Sequence, residues 1–361
     1  MRENVASVQF LRFIAAALVV LHHSTEGINQ YFSGSISNLT MGVTDFGAVG
    51  VDIFFVISGF IMVYTSFRTK DETFSSSKFI AKRIIRIYPI YIIYSLFYLC
   101  FYHFFLGGKN ISLEQFFGSI LLLPGYSSDI IGPGWTLSFE IYFYACFSIA
   151  MALGLVRGIS ALTFFFLAAI MLRFASDTSQ PAIHVITSTL LIEFLLGAWI
   201  GYAVVSFVRI DNKLANVLLT FALAGFVAGI YFGFYTRLSS VVTRGIPSAL
   251  LVAGLVFKEK NGRLPLLMNK YSFLGDSSYS LYLLHVVLID AVIVLALYVG
   301  DSIRTHMLQI GTFEMMIVCF GITAYCIVVA FISYELIERR LVGRLQDLYR
   351  RKTAPVPAAP A

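Results

Sequence analysis

The sequence predicts an all-α, polytopic integral membrane protein of about ten transmembrane helices with both termini in the cytoplasm, and three observations carry that prediction. Of the 361 residues, 58% are hydrophobic and only 13% charged, with a mean hydropathy of +0.82, far outside the range of a soluble domain. Apolar stretches long enough to cross a bilayer, about 17–25 residues, recur at roughly 7–25, 44–66, 87–106, 135–155, 159–173, 185–207, 213–233, 241–257, 278–299 and 314–338. With the first stretch running outward, every Lys and Arg falls on the cytoplasmic side except Lys109, Arg173, Arg237, Arg244 and Arg304. Positive-inside insertion produces that asymmetry.

The same asymmetry explains the net charge of +6: a basic face meets anionic headgroups. Membrane lipids, and not nucleic acid, are therefore the expected macroscopic partner. Residues 1–340 read as one membrane domain. Residues 341–361, basic and then Pro/Ala-rich in "TAPVPAAPA", read as a disordered cytoplasmic tail. Cys100, Cys146, Cys319 and Cys326 lie in expected helices without metal-ligand spacing, so they read as small apolar packers and no metal site is expected.

Helix one contains Arg12 and no small-residue cleavage site, so it reads as a retained span rather than a removable signal. At 100° per residue Arg12 and His23 lie within about 20° of one another around the helix and about 16 Å apart along it, whereas His22 is about 80° away from Arg12. Arg12 and His23 thus share a face, a cation near the inner end and a titratable base toward the outer end. Snorkelling of Arg12 and interfacial histidines is the plainer alternative.

Helix two carries "GVDIFFVISGF", Gly50 to Phe60, in which Asp52, Ser58 and Gly59 interrupt an apolar run. Small-residue packing accounts for Ser58 and Gly59; Asp52 points instead to a polar interior. Helix three opens with "AKRIIRIYP", placing Arg83 and Arg86 on neighbouring positions of one face, where forked guanidiniums can clamp phosphate. Positive-inside topology alone would also supply them. Helix four begins "GPGWTLSFEIYFY": Pro133 and Gly134 suit a helix start and Trp135 the interface. Glu140, about two turns in, needs a partner, either a functional histidine or arginine or a structural ion pair.

The stretches from 159 to 257 are assigned on length and apolarity. Helix nine carries "LGDSSYSLYLLHVVL", with Ser278, Tyr282 and His285 at i, i+4 and i+7 forming a polar stripe beside Tyr279. Such a stripe marks a helix contact or a lined cavity. Near the end of helix ten, "SYELIERRL" reads as a helix end meeting headgroups through Glu335, Glu338 and Arg339.

Together these stretches resemble the membrane-bound acyltransferase family 3 from Val8 to about Arg340. Arg12 and His23 match its arginine, ten residues, histidine signature. Phe54 to Phe60 match "FFxxSGF", Arg83 to Pro89 match "RxxRIxP", Trp135 and Glu140 match its Trp and Glu pattern, and Ser278 to His285 match "SYSLYLxH". The closest similarity is to its exopolysaccharide O-acetyltransferase branch.

The resemblance implies transfer of an acetyl group from cytoplasmic acetyl-CoA, a co-substrate and not a permanently bound cofactor, to a hydroxyl of a cell-surface saccharide. The implied acceptor is an exopolysaccharide repeat on its lipid carrier, in a bacterial inner membrane and alongside polysaccharide assembly proteins. On this reading Arg12, Arg83 and Arg86 hold CoA phosphates, with Ser58 also on the donor side. His23 is base or acyl acceptor, oriented by Glu140 or His285. Ser58 and Tyr282 are candidate oxyanion donors, and Asp52, Trp135, Tyr279 and Tyr282 line the substrate path. Two other classes fit the same polar helices: a saccharide transporter or flippase, against which the lack of an internal repeat counts, and a scaffold whose polar groups only pack helices.

Overall fold

Lipid offers no hydrogen bonds to a backbone, so apolar runs of this length close their bonds within helices. The computed structural model describes residues 5–31, 46–67, 74–173, 179–232, 240–299 and 312–353, and among them the regular structure is helical throughout. In chain order the helices are α1 (Ala6–Tyr31), α2 (Val49–Ser66), α3 (Ser76–Phe105), α4 (Leu113–Ile120), α5 (Trp135–Ala150), α6 (Leu155–Leu172) and α7 (Pro181–Ile186). There follow α8 (Leu191–Val205), α9 (Asn212–Phe232), α10 (Ile246–Lys260), α11 (Leu266–Tyr271), α12 (Ser278–Val299), α13 (Thr312–Ser333) and α14 (Arg339–Thr353). With α7 running into α8, α11 into α12 and α13 into α14, ten helical stretches of the described residues are long and apolar enough to cross a membrane. They correspond one for one to the ten expected from hydropathy.

Local signals set the boundaries. Ser75 caps α3 by accepting from the Lys78 amide, an N-cap role suited to serine, and the helix runs through Pro89 to Phe105. Ser112 and Gln115 form a reciprocal capping box at α4. Pro133 and Gly134 make a 3₁₀ turn that leads into α5. Gly154, at φ +84°, allows the sharp reversal from α5 to α6.

Helix α1 sits centrally, packed against α2, α12, α13 and the 3₁₀ turn Ser272–Ser277. The most extensive helix pairing joins α2 to α8, and two glycines explain its closeness. A Cβ on Gly59 would lie 1.9 Å from the Phe194 carbonyl oxygen, and one on Gly197 would lie 1.9 Å from that of Val56. Backbones in a membrane approach this closely only at small residues.

Two expectations need correction here. Residues 341–353 are not an irregular tail but continue as α14, whose Leu341, Leu345 and Leu348 recur at helical spacing and whose Val342 is buried. The remainder of the tail, 354–361, lies outside the described residues. Of the four cysteines, Cys319 and Cys326 are buried packers, Cys146 is intermediate, and Cys100 is exposed on α3.

Candidate active site

Helices α1, α2, α3, α5 and α12 line a cavity of about 140 Å³ that is partly open to solvent. Its polar lining is Arg12 from α1, Ser58 from α2, Arg83 and Arg86 from α3, Thr136, Glu140 and Tyr144 from α5, and Ser278, Tyr279 and Tyr282 from α12. Phe54, Phe55, Ile57 and Met62 supply the apolar wall. Residues far apart in sequence and singled out individually there share this one wall: Arg12, Ser58, Arg83, Arg86, Glu140, Tyr279 and Tyr282.

Each arginine is held. Arg12 Nη1 donates to Gln9 Oε1 at 3.2 Å, and Gln9 Nε2 donates onward to Asp276 Oδ1 at 2.7 Å. The Arg83 guanidinium lies over the rings of Phe79 and Tyr144, where the ring faces attract a cation, and reaches Thr65 Oγ1 at 3.4 Å. Glu140 meets hydroxyls rather than a histidine: its Oε1 accepts from Tyr144 at 2.6 Å and from Ser58 at 2.9 Å. Tyr282 donates to the Pro133 carbonyl at 3.2 Å and touches Thr136 Oγ1 at 2.9 Å. The hydroxyl protons of Ser58 and Tyr282, the candidate oxyanion donors, are thus engaged in this arrangement. Tyr279 likewise donates to the Ile87 carbonyl at 3.1 Å.

The histidines lie behind Tyr282, outside the cavity lining. The Tyr282 ring is 5.9 Å from that of His285, and the His285 ring is 4.9 Å from that of His23. The bonds around them fix both tautomers. His285 Nδ1 is 2.8 Å from the Tyr282 carbonyl and His23 Nδ1 is 2.9 Å from the Val19 carbonyl. A carbonyl only accepts, so each Nδ1 carries a proton. His285 Nε2 then has a lone pair, and it accepts from His23 Nδ1 at 3.3 Å. His23 Nε2 is left as the basic nitrogen on a partly accessible side chain, while His285 is fully buried. His22 turns elsewhere, 3.6 Å from Glu26. Of the two groups considered for orienting His23, His285 makes the contact and Glu140 pairs with Ser58 and Tyr144.

Besides the two histidines, two predicted site residues stand apart from the cavity lining. Asp52 is 1% exposed and pairs with Arg244 at 3.4 Å, with the buried Glu193 of α8 beside it. A carboxylate held in this way is an element of the α2–α8 seam and does not line the cavity. Trp135 packs edge-on against Phe55 and Phe139 with 40% of its surface exposed, at the start of α5.

Two residues that sequence reasoning missed are Glu193 and Glu338. Glu193 is a lone carboxylate in the apolar run "LIEFLLGAWIG", which is itself a signal of an interior partner. Glu338, read above as meeting headgroups, is 1% exposed. It accepts from Ser280 Oγ at 2.6 Å and lies 4.0 Å from Arg86. The sequence held a clue: Glu335 has Arg339 one turn on, and the two pair in the structure. Glu338 has Tyr334, Glu335, Leu341 and Val342 at its helical neighbours and no cation.

The chain is 28% identical over 298 residues to the exopolysaccharide production protein ExoZ of Rhizobium meliloti (strain 1021), an alignment covering 78% of this chain and 85% of that protein. No solved structure matches. The acyltransferase domain profile of acyltransferase family 3 matches residues 5–335, nearly the whole chain, and the protein belongs to that family of membrane acyltransferases.

Proposed function

We propose that the protein transfers an acetyl group from acetyl-CoA to a saccharide hydroxyl, with Arg12, Arg83 and Arg86 receiving the donor's phosphates and His23 Nε2 handling the reacting proton or acyl group. The observation that carries this reading is the convergence of three guanidiniums from two helices on one cavity whose Tyr282 wall packs against the His285–His23 pair. Guanidinium forks suit phosphate and pyrophosphate oxygens. A pantetheine arm is of the same order as the roughly 16 Å rise between Arg12 and His23. The nucleotide can therefore remain at the basic end while the thioester extends toward the Tyr282 wall, behind which the His285–His23 pair lies.

At His23 the Nδ1 proton is committed to Val19 and His285, which leaves the Nε2 lone pair as the basic one. As a general base it removes the proton from the sugar hydroxyl while that oxygen attacks the thioester carbonyl carbon; the C–S bond breaks and the CoA thiolate takes up a proton. As a nucleophile it forms an acyl-imidazole first, releasing CoA thiolate; the sugar oxygen then attacks the acyl carbon, the C–N bond breaks to restore the imidazole, and the hydroxyl proton passes to the thiolate or to water. Both routes use the same tautomer. The name of the similar Rhizobium protein favours an exopolysaccharide repeat, free or on a lipid carrier, as acceptor. The charge asymmetry favours cytoplasmic termini and a bacterial inner-membrane location, where assembly proteins would be its neighbours.

The test is a membrane preparation supplied with radiolabelled acetyl-CoA and the host's lipid-linked saccharide. The expected result is free CoA and alkali-labile label on the saccharide in equal amounts, both lost in Arg86→Gln at limiting donor. Saccharide that crosses the bilayer without label would contradict acyl transfer and favour a transporter.

A further inference from the structure

Arg86 shares its cavity with Arg12 and Arg83, and like charges repel most strongly where water is scarce. Outside the cavity lining, a carboxylate faces Arg86: Glu338 Oε1 is 4.0 Å from Arg86 Nη2. Glu338 is delivered by a π-helical turn, Tyr334–Glu338, between α13 and α14. Such turns insert a residue into a helix, re-aim the side chains that follow and recur at functional sites.

A directed chain of hydroxyls sets the carboxylate's orientation. Ser280 gives its only proton to Glu338 Oε2 at 2.6 Å. Tyr94, 2.9 Å from Ser280 Oγ, must then donate to Ser280, and Ser333, 2.8 Å from Tyr94, must donate to Tyr94. Three helices, α13, α3 and α12, thus converge to pin Oε2. Among the described residues Oε1 has no hydrogen-bond donor, and it is left turned toward Arg86. A buried carboxylate with one oxygen pinned and the other presented to a cation is built to hold that cation in place, because its own desolvation is offset only by the pairing.

We propose that Glu338 is a positioning residue for the acyl donor: it orients the Arg86 guanidinium toward the cavity so that donor phosphates meet a preset fork, without itself touching substrate. This inference rests on the reading of the cavity as an acyl-CoA site. A purely structural role for the same network predicts loss of folded protein, not a change specific to donor binding.

The test is a double-mutant cycle on the purified full chain in detergent, with wild type, Glu338→Gln, Arg86→Gln and the double variant. CoA affinity is read by calorimetry, and KM and kcat for acetyl-CoA by CoA thiol release. Glu338→Gln keeps the shape and an acceptor oxygen for Ser280 but removes the charge. The expected result is on the order of tenfold weaker CoA binding and a matching rise in KM with little change in kcat, a coupling typical of directly interacting charges. In the Arg86→Gln background the second change should add nothing.

Ser280→Ala, which releases Oε2, should raise KM less than Glu338→Gln and should have no effect once Glu338 is Gln. Losses that multiply in the two backgrounds, as misfolding would produce, overturn the proposal, as does unchanged donor affinity in Glu338→Gln while Arg86→Gln weakens it. That last pattern leaves the acyl-CoA reading standing. Absence of CoA binding by folded wild type would remove both.

Discussion

A step of 100° around α1 sends His22 toward Glu26 and His23 toward His285, and the chemistry of the site follows from that step. His285 contributes an accepting lone pair to His23 Nδ1, so a replacement that can still accept should serve better than one that cannot. His285→Gln is expected to retain more kcat than His285→Leu, with KM for acetyl-CoA unchanged in both, measured by CoA release. Equal kcat in the two variants would show that the bond does not orient His23. At this scale turn arithmetic separates His22 from His23, but it does not show that the cavity takes Arg12 and leaves His23 behind Tyr282. The sequence was not legible where tertiary contacts decide. Nothing local distinguishes Glu140 from His285 as the partner of His23, because the choice depends on how α5 and α12 pack on α1. Glu338 likewise reads as a surface residue until the π-turn rotates it inward.

Between helices, the α2–α8 seam combines two glycines with the buried carboxyls Asp52 and Glu193 and the partly buried Arg244. A methyl on Gly59 would lie 1.9 Å from a backbone carbonyl, whereas one on Gly321 of α13 would have nothing within 4 Å. Gly59→Ala should therefore lower the thermal midpoint in detergent, while Gly321→Ala should hold or raise it, since alanine is the better helix former by up to about 1 kcal/mol. Equal midpoints would mean that the seam is not as close as described.

Arg244 is the cation that faces Asp52, and Arg244→Met leaves two buried carboxyls without it. Breaking such a group typically costs about 3–5 kcal/mol, so the folded yield and midpoint should fall while KM for acetyl-CoA in the surviving folded protein stays constant. A raised KM with normal stability would return Asp52 to the substrate path. Asp52 was legible as an interior residue from its cost in lipid. Which interior it occupies was set by Glu193 and Arg244, far away in sequence.

For the molecule as a whole, the ten spans were legible because length and apolarity are summed over some twenty residues, so no single position decides. The boundaries moved where charged or polar turns flank a helix, as in α3, which starts at Ser76 rather than near 87. Hydropathy does not register charged helical turns. The tail illustrates the same limit, since α14 is helical through its apolar stripe despite low overall hydropathy. The orientation argued from charge predicts a fluorescent carboxyl-terminal fusion of green fluorescent protein and an inactive one of alkaline phosphatase; the reverse pattern would invert the topology and place the basic end of the cavity outside, away from cytoplasmic acyl-CoA.

The most direct test of acetyl transfer through His23 is proton NMR of ester-linked acetyl on extracellular polysaccharide. The samples would come from a host lacking this gene, complemented with wild type, His22→Ala or His23→Ala at equal membrane abundance. Acetyl should disappear without the gene, return with wild type and His22→Ala, and remain at least about a hundredfold reduced with His23→Ala; full acetylation by His23→Ala would contradict the assignment of His23 as the reacting group.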